Sequence, residues 1–119
     1  MNKYVTRIKP HFEAELREAE RCKAQRDSAG SFKHLERAHV LGQWSTRLHV
    51  MVHLQMLKWA VQNGCRGEFV GQVGRIAGAA TKTAMGLVPQ GNTGGSNVSP
   101  FKRMAVPEDL AAIIAWARR

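Results

Sequence analysis

The chain has 119 residues, 44% hydrophobic and 23% charged, which suits a single soluble globular domain with one modest core and excludes a disordered polymer. Its 18 Lys and Arg against 9 Asp and Glu give a net charge of +9. These basic residues are scattered from Lys3 to Arg119 without clustering, so the charge reads as a general bias and no specific nucleic-acid partner is expected.

Cys22 and Cys65 form no CxxC pair, which excludes the common zinc-ribbon spacing and a disulfide-rich secreted scaffold. The opening "MNKYVTRIKPHFEAEL" turns polar before any apolar core of a secretion signal forms. The longest apolar stretch, "LHVMVHLQMLKWAV", is broken by His53, Gln55 and Lys58, too early to span a bilayer. No membrane association is expected, and the cytoplasm is the expected compartment.

The first helix is expected to start at Pro10, where a missing N–H costs nothing. Phe12, Leu16, Ala19 and Cys22 then form its apolar stripe, and "RDSAG" breaks it. A second helix carries Phe32, Leu35, Ala38 and Leu41 inward and stops at Gly42. The third begins at Ser45 or Thr46 and presents Val50, Leu54, Leu57 and Val61. It is apolar almost all round, so it should be central. A weaker fourth helix follows "NGCRG", with Gly71, Gly74 and Gly78 on a common face that suggests close helix approach. The segment "VPQGNTGGSNVSPF" has no helical period; Asn92, Ser96, Asn97 and Ser99 are expected to bond the main chain there. "VPEDLAAIIAWARR" closes the chain as a helix with acids first and arginines last.

"AGSFKHLERA" and "CRGEFVGQVGRIA" superpose, bringing Gly30 onto Gly67 and Phe32 onto Phe69. The fold expected is therefore all-α: one domain over 1–119, with a four-helix array at 10–86 in two antiparallel hairpins of tetratricopeptide-like arrangement. An ordered Gly-rich loop at 87–106 and a C-terminal helix at 107–118 complete it.

Four of the five histidines lie in "HLERAHVLGQWSTRLHVMVH". Residues three or four apart share a helix face, which pairs Glu36 with His39 and His49 with His53. The short link "VLGQWSTRL" should set the two helices antiparallel and bring the pairs together. Glu36, His39, His49 and His53 are thus the candidate ligands of a divalent transition metal: zinc, nickel, copper or iron. His34, His11 and Cys65 are possible additional ligands, and Arg37, Gln43 and Asn92 candidates for holding the ligands in place. A dinuclear iron site is not expected, because helices three and four offer no inward acid, Glu68 standing at a helix start. The other reading of the same residues is a structural hydrogen-bond network in the core of a helical module that docks a protein partner, with a homodimer also possible. Weak, charge-driven nucleic-acid binding is a third. No order of Ser, Cys, His and Asp singles out a nucleophilic hydrolase, so binding is favoured over catalysis. "GNTGGSNVS" also lacks the Lys of a phosphate-binding loop.

Together "FKHLERAHVLGQ", "RLHVMVHLQML" and "VPQGNTGGSNVSPFKRMAVPEDL" resemble the signature of a small bacterial family of unassigned function, roughly over residues 12–114. The positions that carry the resemblance are His34, Glu36, Arg37, His39, Gly42, Gln43, His49 and His53, then Gly91, Asn92, Thr93, Gly94, Gly95 and Asn97. The resemblance brings no mechanism. It implies an association with heavy-metal resistance and cation-efflux loci, and hence metal handling.

Overall fold

The computed structural model describes residues 2–84, 92–96 and 102–119, among which there are five helices and no strand. They are α1 (Lys3–Ala24), α2 (Ser28–Gly42), α3 (Thr46–Gln62), α4 (Arg66–Ala84) and α5 (Glu108–Arg118). None is long and apolar enough to cross a membrane.

Helix α1 starts at Lys3, well before the expected Pro10. The Asn2 side chain accepts a bond from Tyr4 N at 2.9 Å and so caps the first turn. Tyr4, Ile8 and Phe12 then form a buried stripe at four-residue steps. An interior proline costs roughly 3 kcal/mol; burying Ile8 and Phe12 returns about 1.5–3 kcal/mol each. Burial wins, and Pro10 sits inside the helix.

The Tyr4 hydroxyl donates to Leu41 O at 3.0 Å, tying the start of α1 to the end of α2. Burial pushes this phenol up to about 12, against the pull of the Arg118 cation. A folded-state value above the ordinary 10.0 means that the stability is intact below about pH 10 and is lost as pH rises toward 12. Denaturant unfolding followed between pH 9 and 12 should show that alkaline loss. Tyr4→Phe should flatten the part of the slope due to this group.

Arg26, with φ of 60°, closes the turn between α1 and α2. Asp27 then caps α2 by accepting from Gly30 N at 2.9 Å, so "DSAG" is a cap and first turn. Gly42 lets the end of α2 lie against α1: a Cβ there would meet the Phe12 ring at 2.8 Å. Ser45 caps α3 through Leu48 N at 3.4 Å. Trp59 near the end of α3 donates to Ser28 O at the start of α2, at 2.9 Å, so α2 and α3 run antiparallel. Helix α5 packs on α1 and α2, and Arg37 joins all three by pairing with Glu15 at 2.9 Å and with Asp109.

Two expected faces are turned. In α3 the buried residues are Leu48, His49, Val52, His53, Met56 and Ala60, while Leu54 and Val61 are 49% and 62% exposed. In α4 the described buried side chains are Glu68 and Gln72, with Phe69, Val70 and Val73 exposed. Among the described residues nothing lies near a Cβ built on Gly74 or Gly78, and of the three only Gly71 makes a close approach, to Ser96 of the loop. The expected close packing of helices through these glycines is therefore not found. Asn97, Ser99 and Gly91 lie outside the described residues.

Candidate metal centre

His39 sits in the last turn of α2, and His49 and His53 occupy successive turns of α3. Antiparallel packing of α2 on α3 sets these three rings against one another. Their centroids are 4.8, 4.8 and 4.9 Å apart. One ring nitrogen from each lies within 4.8 Å of the other two. Exposures of 3%, 1% and 2% place all three inside the fold.

The outer nitrogens identify the inner ones. His39 Nδ1 lies 2.6 Å from the main-chain oxygen of Asn92, which can only accept, so Nδ1 carries the proton. Its Nε2 then holds a lone pair. That atom is 3.0 Å from His49 Nε2; as a hydrogen bond the contact needs the proton on His49 Nε2. His53 Nδ1 lies 2.6 Å from Gln72 Oε1 and is likewise a donor.

The orientation of the Gln72 amide is fixed by what surrounds it. Its nitrogen donates to Glu68 Oε1 at 2.9 Å and to Gly94 O at 3.0 Å, with Met56 Sδ at 3.4 Å. Turned round, it would face its oxygen toward two acceptors. Glu68 in turn accepts from Ser96 N at 2.9 Å and from the Ser96 hydroxyl. The acid that the sequence leaves at a helix start is thus buried and anchors the loop.

The loop is shaped to this purpose. Asn92 Oδ1 accepts from Gly94 N at 2.9 Å, and Asn92 Nδ2 donates to Lys102 O at 2.8 Å. Gly94, with φ of +82°, lies so close to His39 that a Cβ would sit 2.4 Å from the ring. Asn92 therefore meets His39 through its main-chain oxygen, while its side chain shapes the loop.

Glu36, Arg37, His34, His11 and Cys65 fall elsewhere. Glu36 is outside the three-histidine group; its carboxyl is pushed up by burial and bonds Thr93, which opposes the shift. Arg37 serves the α1–α2–α5 junction instead of the cluster. His34 bonds Glu15 at 2.7 Å, His11 stands edge-on to Trp116 with centroids 5.7 Å apart, and Cys65 lies in the turn between α3 and α4. Gln43 follows α2 directly and is buried, its amide nitrogen having no hydrogen-bond partner among the described residues.

The donor chemistry fits a cation. An ion about 2.1 Å from each nitrogen in tetrahedral geometry spaces its ligands about 3.4 Å apart. The separations here bracket that value, from 3.0 Å up to the 4.8 Å limit of the group. Two of the imidazoles are already oriented from outside by carbonyl acceptors, the usual support for metal-binding histidines. Imidazole donors suit borderline transition metals over calcium or magnesium, which prefer oxygen. No curated protein and no solved structure matches the chain. Residues 6–114 match the family described as "Protein of unknown function (DUF3703)", and the chain belongs to that family.

Proposed function

We propose that the protein binds one divalent transition-metal ion through His39, His49 and His53, as a cytoplasmic accessory in metal homeostasis or resistance. The observation that carries this reading is the convergence of three buried imidazoles, two of them with Nδ1 committed to an oxygen acceptor. Gln72 and Asn92 hold the ligands; Glu68, one hydrogen bond beyond Gln72, supplies a buried negative charge near the cation. Zinc, nickel, copper and ferrous iron all suit imidazole donors.

Protein purified without an affinity tag should carry one such ion per chain by elemental analysis. Added metal at a free concentration of 100 times its Kd should stabilise the fold by about 2.7 kcal/mol, a rise in melting temperature of roughly 10 °C. Unchanged melting with all of those metals, together with no stoichiometric ion, would end the proposal.

A second reading is favoured by the exposed Leu54, Val61, Phe69, Val70 and Val73 on α3 and α4. In it the two helix pairs act as a tetratricopeptide-like module that docks a protein partner through this face. Val61→Asp with Val70→Asp should then abolish partner capture without touching the ion, which separates the two readings.

A further inference from the structure

Three neutral imidazoles leave one position of a tetrahedral ion to be filled, and the single Glu68 carboxylate beyond Gln72 offsets only part of a dication's charge. Gln43 is the next buried polar residue after His39 along the chain. Its main-chain N–H bonds His39 O at 2.9 Å, so it lies one helical turn beyond His39 and on the same face. It also begins the short link to α3, whose first turns carry His49. The residue is 1% exposed, yet its amide nitrogen donates to nothing among the described residues. A buried donor without a partner is destabilising, and in a protein whose other polar side chains at this centre are bonded it needs a reason.

We propose that the metal's fourth position takes a small exogenous ligand, a water, hydroxide or monoanion, and that the Gln43 amide donates a hydrogen bond to it. The inference rests on the metal-binding reading above. Burial of the three histidines limits the ligand to a few atoms, and an anion there offsets the charge of the ion. Gln43 is then a positioning group for that ligand, and its unused donor is the cost of keeping a place for it.

The test uses cobalt in place of the native metal and azide as the probe. Cobalt binding to the full chain is read first, from the visible ligand-field bands, since their absence sinks the underlying metal reading and not this one alone. With cobalt seated, azide should alter those bands saturably in the unmodified protein. Gln43→Leu should keep cobalt but bind azide about tenfold more weakly, the loss of one hydrogen bond to a charged group. The same change should raise the melting temperature of the metal-free protein, because it removes the unpartnered donor. A residue with only a structural role would not move these two readouts in opposite directions. Azide without effect on cobalt-loaded protein, equal azide affinity in both proteins, or loss of cobalt by the variant would each overturn the proposal.

Discussion

Changing His53 to Ala should remove the metal altogether, whereas changing Gln72 to Leu should leave it bound about 10–100-fold more weakly. The first substitution deletes a ligand from a set of three and leaves two imidazoles, too few to hold a buried dication against water. The second leaves all three nitrogens in the molecule. It takes away the acceptor that keeps the His53 proton on Nδ1, and with it the path from the ion to the Glu68 carboxylate. Competition against a chelating dye measures both affinities. Thermal melting with and without zinc supplies an independent readout: the zinc-induced rise should vanish in the first variant and shrink in the second. If the histidines were only a hydrogen-bonded core, the order would be lost. Gln72→Leu would strand His53 Nδ1 and Gly94 O together and take one donor from Glu68, destabilise the fold at least as much as His53→Ala, and neither protein would respond to zinc.

The difference between these two positions is also the difference between what the sequence reveals and what it conceals. His49 and His53 are legible because four-residue spacing fixes a common face, and His39 because the link to α3 is too short for any arrangement but an antiparallel one. The all-helical class and α5 follow from apolar period, acids in the first turn and a basic end. Spacing does not fix how far a helix is rotated toward its neighbours. Glu36 shares a face with His39 in the abstract, but its carboxyl meets Thr93. In α3, apolar on nearly every side, hydropathy cannot choose a face. The residues that do choose it are the histidines themselves, buried where Leu54 and Val61 are not.

Glu68 and Gln72 were concealed for a stronger reason. Apolar residues are the signal of an inward face, and in α4 Phe69, Val70 and Val73 point outward while an acid and an amide are buried. This inversion costs little, because Gln72 and Glu68 find hydrogen-bond partners in His53, Gly94 and Ser96. A polar lining is what a metal centre would require, so the ordinary pattern fails at the proposed site. The signal available was the four-residue step from Glu68 to Gln72, a spacing that allows a side-chain bond along a helix.

Gly94 carries the other large effect. Replacing it with Ala should cost the fold about 2–4 kcal/mol and weaken metal binding at least as much as Gln72→Leu, through two faults in one methyl group. A φ of +82° is disfavoured for any residue with a Cβ. The new atom would also sit 2.4 Å from His39 Cδ2 and 2.7 Å from Nε2, the coordinating edge of the ring. One of the two must move. If the ring turns, Nε2 leaves the ion; if the loop lifts, His39 Nδ1 loses Asn92 O and Gln72 loses Gly94 O. Gly74→Ala is the matched control, because a Cβ there meets nothing within 4 Å among the described residues and should stabilise α4 by up to about 1 kcal/mol. Denaturant unfolding and zinc titration of both variants decide the matter. Should Gly94→Ala prove as stable and as tight a binder as the unmodified protein, the loop cannot be what clasps His39, and the arrangement of ligands described above would fail with it.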